Sequence, residues 1–544
     1  MDGFGKMVGD DGTIFYETEN GELLLEIIRL NDVGVLARYL ETNTALGPRD
    51  VQMDDPFWNA VAYGSTNVLC TLLQHWEATQ PSIGTDMPAP DRRGFGLLQT
   101  ACEFSHIETV RFLLNGPWSS AYGNIHARDC RGSTALLAAA GAFFGPGYLP
   151  SRSMTGKQDS HGSMRGHLAH AEEVMQLLLD RDARVGDGII TRDGLQETVL
   201  SRAITGASSA LVKRLLDQGA DTYAKTTYDF FDGSLYGGFG PDTIIRDVTP
   251  LHMGSLYFNT AGVRVLLNHA RATEGVDIAM HPDSHGRLPL HWAAWGLNES
   301  NELYGLKADE IVPHVTATIE LLVAAAPSTV NAQDDRGDTP LHYAVRRRGR
   351  CGDRHVAILR TLCEHGADAG LGGRNGETPL HGLGFRFRDG EPIEASLIDL
   401  LLEHGASVGD ADDDGNTPLH FAAKHLAHVE TAQHLLSRGA DVSVQNRQGN
   451  TPLHEAALGF YSGPLGGSQP RERKLTLENR VRAQDEMMRV LLHHFSETKA
   501  NALMNQTNAD YDTPRQICQE RRRKWRDEEI THKPLAMGRG RRRG

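Results

Sequence analysis

The tetrapeptide Thr-Pro-Leu-His stands at Thr249–His252, Thr339–His342, Thr378–His381, Thr417–His420 and Thr451–His454, with a Leu-for-Thr variant at Leu288–His291. Successive histidines lie 39, 51, 39, 39 and 34 residues apart. Self-similarity at such a period marks an array of small units, each unable to hide its apolar face until a neighbour stacks on it. A chain of 544 residues exceeds what one hydrophobic core serves. A stack escapes that limit because it grows along one axis. The functional question therefore moves from a cleft to a surface.

The unit from Asp412 to Gln445 shows the physical logic. Asp412-Asp413-Asp414-Gly415 is turn chemistry, with glycine supplying a backbone shape that other residues resist. Thr417 fits a helix N-cap, and Pro418 follows at the first helical position, where its missing N–H costs nothing. Leu419, Ala422 and Ala423 form a small apolar face that lets helices approach closely. After His425–His428, a second helix carries Val429, Ala432, Leu435 and Leu436 at helical spacing. Gly439-Ala440-Asp441 ends it with a C-terminal glycine.

These residues resemble the ankyrin-repeat family, whose signature is TPLHxA. The second half of that pattern recurs at Leu215–Asp221, Leu401–Ala406 and Leu435–Asp441. Weaker copies run toward the N-terminus through Asp129–Ala139, Asp91–Leu114, Trp58–Leu73 and Leu23–Leu40, and Thr513–Cys518 reads as a final half-repeat. The resemblance implies an all-α ankyrin-repeat solenoid of helix-turn-helix units with short hairpin turns and several long loop insertions. The expected organisation is a flexible segment at 1–20, an array of about 12 units over 21–520, and a basic tail at 521–544. Several units exceed the family's length of roughly 33 residues. The excess falls near 143–170, 224–247, 297–314, 383–395 and 458–482. Long surface loops cost little, because closure entropy rises only logarithmically. The segment 224–247 stands apart through Tyr228, Phe230, Phe231, Tyr236 and Phe239.

Composition narrows the function. A net charge of -15 argues against a general nucleic-acid binder. The start lacks a basic stretch followed by an apolar run, so no secretory signal is expected. No apolar run is long enough to cross a bilayer. Six cysteines without CxxC spacing read as reduced thiols, and the expected localisation is cytoplasmic, nuclear or both. The P-loop-like Ser153–Gln158 lacks the required glycine and Ser/Thr, and no hydrolase, zinc-protease or kinase signature is present. Neither an enzyme, a cofactor nor a metal is expected. The recurrent histidines do not form a metal motif. The resemblance implies instead that each imidazole bonds backbone near the hairpins and orients the turn.

In the family, ligands meet the hairpin tips and the exposed side of each first helix. Subtracting framework residues from seven alignable units leaves 35 positions, of which 11 are basic: Arg92, Arg93, Arg131, Arg287, Arg336, Arg346, Arg347, Arg374, Arg386, Lys424 and Arg447. Phe95, Phe104, Trp295 and Phe385 are apolar anchors on the same face. Against 55 basic residues in the whole chain this enrichment points to a protein-interaction scaffold or adaptor for an acidic or phosphorylated segment. Two other roles fit the same class: the substrate adaptor of a ubiquitin-ligase-type complex, and a nuclear regulator of transcription or RNA. The latter would act through the basic runs Arg521–Arg526 and Gly538–Gly544, the one place where nucleic-acid contact is expected.

Overall fold

The computed structural model describes residues 6–8, 14–16, 22–42, 55–79, 96–144, 162–190, 196–229, 244–273, 277–296, 308–346, 353–386, 395–460 and 476–531. The chain divides into two compact units: Met1–Phe231 with Asp242–Ser284 and Glu299–His314, and Asp232–Pro241 with His285–Asn298 and Val315–Gly544. Both are built from helix pairs. The strands among the described residues are three two-stranded antiparallel ladders.

In the first unit the short helices Glu22–Leu30, Pro56–Ala62, Leu97–Glu103, Ala135–Gly141, Val199–Ala203 and Pro250–Leu256 pack in series, each on the next. A second row of helices backs them, including Val33–Thr42, Thr66–Thr79 and Ile107–Asn115. In the second unit the corresponding row is Pro289–Trp295, Pro340–Arg346, Pro379–Arg386, Pro418–Lys424, Pro452–Leu458 and Pro514–Thr531. Behind it run Asp353–Glu364, Ala395–Glu403, Val429–Ser437 and Leu477–Leu492. The first-helix faces are small and dry: Leu419, Ala422, Ala423, Leu453, Ala456 and Ala457 are fully buried. Close packing of such faces, rather than any isolated helix, carries stability, because helices this short are marginal alone.

Of the two adjacent leucines on the apolar spacing of the second helix, only the first is core. Leu435 is 2% exposed, whereas Leu436 is only half-buried. Truncating Leu435 to alanine should therefore destabilise by about 1–2 kcal/mol more than the same change at Leu436. Urea midpoints of the two variants check this, and equal midpoints would contradict the register.

The recurrent histidines are the joints between units. Thr417 and His420 close a reciprocal capping box. The ring Nδ1 accepts the Thr417 N–H at 3.0 Å and lies 2.9 Å from the threonine hydroxyl. Sequence reasoning took the threonine alone as the cap; the histidine three residues on is its partner. Because a backbone N–H can only donate, Nδ1 is bare and the proton sits on Nε2. That Nε2–H donates to Asn450 O in the next unit at 3.1 Å. The device repeats: His291 reaches Asp338 O at 3.2 Å, His342 reaches Glu377 O at 2.9 Å, His381 reaches Asn416 O at 3.0 Å and His454 reaches Asp512 O at 3.2 Å. Each accepting carbonyl belongs to the residue just before the next capping threonine.

The insertion 224–247 is a lengthened hairpin in its described parts. Thr226–Asp229 pairs with Ile244–Val248, and one unit earlier Gly188–Ile190 pairs with Gln196–Thr198. Phe230, Phe231, Tyr236 and Phe239 lie outside the described residues. In the segment expected to be a flexible N-terminus, Lys6–Val8 pairs with Ile14–Tyr16. The basic block Arg521–Arg526 belongs to the Pro514–Thr531 helix, which packs on Pro452–Leu458 and Leu477–Leu492 and buries Trp525. The P-loop-like segment and residues 532–544 lie outside the described residues.

One hairpin departs from its siblings. Gly337, Gly376, Gly415 and Gly449 occupy the left-handed turn position, and in the last hairpin Tyr511 stands there with φ +65° and 82% exposure. A side chain in that region costs about 1–2 kcal/mol. Tyr511→Gly is therefore expected to raise stability by about 1 kcal/mol after glycine's greater unfolded-state entropy is subtracted. A lowered urea midpoint would refute the strain.

Candidate protein-binding face

The hairpins of the second unit are rigid because each is closed from within and tied to its neighbour. Asp334 Oδ1 accepts the N–H groups of Arg336 and Asp338, both at 2.9 Å. Asp412 Oδ1 does the same for Asp414 at 2.9 Å and Asn416 at 2.7 Å. Asn446 and Asn508 repeat the pattern with their side-chain oxygens. These are side-chain-closed turns, which is why Asx residues open the hairpins. Between hairpins, Asp335 N–H donates to His285 O at 3.0 Å and Asp413 N–H to Asn375 O at 2.8 Å. Arg447 N–H donates to Asp414 O at 2.8 Å, and Ala509 N–H to Gln448 O at 2.9 Å.

One turn lacks the Asx and takes its inter-hairpin tie from a side chain instead of a carbonyl. Gly373 stands where its siblings carry Asx, and Asp338 Oδ1 reaches in to accept Arg374 N–H at 2.9 Å. A Cβ at Gly373 would come within 2.3 Å of that oxygen and 2.8 Å of His342 Nε2. Only glycine leaves room for the clamp.

Onto this frame the basic candidates fall into distinct classes. Arg374 and Arg447 are exposed at the tips, and Arg336 is half-exposed. Arg131, in the first unit, is exposed but forms ion pairs with Glu103 at 2.6 Å and Asp129 at 3.0 Å. Two expectations need correction. Arg287 is 2% exposed, its guanidinium beside His285 Nδ1 at 3.2 Å and over the Trp292 ring at 5.8 Å, so it is framework and not contact surface. Arg346 bridges two carboxylates, Asp338 and Glu377, the latter at 3.0 Å. Burial raises the Glu377 pKa, against the lowering effect of Arg346. Arg346 therefore neutralises an internal cluster.

Trp295 is half-buried and stands edge-on to Tyr343 at 5.8 Å, while the Tyr343 hydroxyl donates to Asp334 at 2.6 Å. Lys424 pairs with Glu455 at 3.5 Å. Phe385 and Arg386 end the Pro379–Arg386 helix, and their side chains are outside the described residues. Arg92, Arg93, Phe95 and Arg347 lie outside them as well. In the first unit Phe104 meets Trp58 edge-on at 6.2 Å and stacks on His106 at 6.2 Å.

What remains exposed at the second unit's tips alternates in sign. Asp335 is followed by Arg374, then Asp413 and Asp414, then Arg447, then Asp510. The sequence pattern that would have revealed this is the Asx-x-x-Gly turn frame itself, read one hairpin at a time. Among the described residues no group of three or more His, Cys, Asp or Glu side chains is arranged to hold a metal ion, and no helix is long and apolar enough to cross a membrane. The buried thiols of Cys363 and Cys518 are pushed up by desolvation to about 12 and about 11.

Helix pairs joined by glycine-bearing hairpins and clamped by TPLH histidines define a stacked-repeat interaction protein. Residues 336–372 match the ankyrin repeat model, and residues 393–462 match the model for ankyrin repeats in three copies. The chain thus contains ankyrin repeats over these two segments. Human inversin is similar at 32% identity over 119 residues, 22% of this chain and 9% of that protein. Mouse inversin is 34% identical over 99 residues, 18% of this chain and 7% of that protein. The matches thus span under a tenth of those relatives' length. The solved ankyrin repeat domain of Bcl-3, a member of the IkappaB protein family, aligns with 24% identity and a TM-score of 0.32, covering 47% of this chain and 92% of that domain.

Proposed function

We propose that this chain is a non-catalytic scaffold or adaptor whose hairpin tips hold a protein partner. Ankyrin repeats are protein-interaction modules, and the observation that supports the finer reading is the row of rigid, exposed tips carrying Arg374 and Arg447 between carboxylates. Side chains on a preorganised backbone lose little freedom on binding. Their alternating charge selects for register and partner more than for raw affinity. The partner is an acidic or phosphorylated segment interrupted by basic residues, its anions meeting Arg374 and Arg447 as bidentate ligands. Asp413 and Asp414 meet its cations. The cytoplasm or nucleus is the proposed setting.

The test is affinity capture with the full chain, quantified by mass spectrometry, comparing wild type with Arg374→Glu plus Arg447→Glu. Neither guanidinium closes an internal ion pair among the described residues, so the variant should unfold at the same urea concentration. A specific partner should be lost by at least ten-fold, and low salt should not restore it, because weaker screening strengthens the repulsion between the new glutamates and the partner's anions. Undiminished capture would remove these tips from the interface. Co-purifying ubiquitin-ligase subunits would extend the adaptor role to that complex.

A further inference from the structure

At the end of the short helices opposite the hairpins lies a second feature that the tip face does not use. After the Pro452–Leu458 helix the chain turns at Gly459, and Phe460 pairs back on the preceding unit. Its N–H donates to Lys424 O at 2.7 Å, and its carbonyl accepts from Leu426 N–H at 3.1 Å. This bridge holds the Phe460 ring at the surface, 52% exposed, next to exposed Leu458.

Cations and rings alternate around it. Lys424 Nζ lies 5.9 Å and Arg521 Cζ 5.7 Å from the Phe460 centroid. Arg521 also sits 5.5 Å from the Trp525 ring, whose other cation is Arg480 at 5.9 Å. The outer two cations have carboxylates: Lys424 pairs with Glu455 at 3.5 Å and Arg480 with Glu528 at 2.8 Å. The next residue, Arg522, is held by Gln484 at 2.7 Å and by Asp485. Arg521 alone in this group has no carboxylate among the described residues, and its buried Nε has no acceptor.

A guanidinium flanked by two rings is already ordered and partly dehydrated, so a carboxylate meeting it gains a charge-assisted bond at little entropic cost. We propose that Arg521 and Phe460 form a docking site for a partner protein segment in which a single carboxylate stands beside an apolar side chain. The carboxylate bonds the Arg521 guanidinium, and the apolar side chain covers the exposed Phe460 and Leu458. Glu455, Glu528 and Asp485 border the site, and the chain carries a net charge of -15. Each of these carboxylates is already neutralised by its own cation, so the group keeps a single net positive charge, that of Arg521, which suits one anionic group.

The full chain is titrated, by fluorescence polarisation, with fluorescein-labelled peptides holding one fixed Glu and Leu, Phe or Trp at neighbouring positions. Matched peptides carry Gln or phosphoserine in place of the Glu. The expected result is at least ten-fold tighter binding of a Glu peptide than its Gln twin. Arg521→Gln should erase that preference, Phe460→Ala should weaken both peptides, and the Arg374→Glu plus Arg447→Glu variant should bind like wild type. A phosphoserine peptide that binds tighter still, and depends on Arg521, supports the site with phosphate as its anion. Equal binding of the Glu and Gln peptides overturns the proposal, as does insensitivity to Arg521→Gln or loss through the tip variant. Arg521-dependent binding of a single-stranded RNA in place of the peptides overturns it too. Because Arg521→Gln orphans no internal carboxylate, an unchanged urea midpoint confirms that the variant is folded.

Discussion

Lowering the pH from 7 to about 4 is expected to unfold the carboxyl-terminal repeats, with most of the loss between pH 6.5 and 4. Desolvation by burial brings His342 and His428 down from 6.5 to about 4. Desolvation also lowers His381, His420 and His454. Above pH 6.5 these rings are neutral in both folded and unfolded chains, and protonation contributes nothing. Below it the unfolded ring takes a proton that the folded ring refuses, so stability falls with each pH unit until the folded value is reached. For His342 and His428 alone that amounts to about 3 kcal/mol each. The structural cause is plain for the clamps: Nδ1 is occupied accepting a threonine N–H, and a proton there would oppose that bond. Several such losses together rival the total stability of a domain. Urea midpoints followed by circular dichroism at pH 7.5, 6.0 and 5.0 measure the effect. The His342→Gln variant should show a shallower dependence, and midpoints flat across this range would refute the neutral-clamp reading.

Replacing Arg346 by glutamine is expected to destabilise the second unit by about 3 kcal/mol at pH 7. The Asp338 and Glu377 side chains it bridges are 6% and 12% exposed, and removing their shared cation leaves two carboxylates facing each other. The loss should shrink as pH falls, because Glu377 is already raised by burial and will take up a proton once Arg346 is gone. Arg346→Lys should recover part of the charge but not the fork that spans both acids. A variant as stable as wild type would return Arg346 to the surface, where sequence reasoning placed it. Arg374→Gln is the control, since its side chain closes no such cluster.

The contrast between these arginines shows how far the chain could be read in one dimension. Arg346 and Arg374 occupy equally plausible ligand positions in the repeat frame. What separates them is a carboxylate 31 residues from Arg346, Glu377, brought close only when the next unit stacks. Arg287 disappears into the core for a similar reason, its guanidinium covering Trp292. Tyr511 was overlooked because the glycine itself is missing there, although Asn508 and Thr513-Pro514 keep the spacing of the turn frame. The Arg521 site was hidden more deeply, since Lys424, Phe460 and Arg521 come from three separate elements.

The amino-acid order alone determined the repeat, its helix-hairpin grammar, the capping threonines and the fold class, because turn residues, helix starts and apolar spacing act over a few neighbouring positions. The stacked structure decided which charges are internal mortar and which face solvent, which nitrogen of each histidine holds the proton, and where cations meet rings. Those depend on distances across unit boundaries, set by packing and invisible to any rule that reads along the chain.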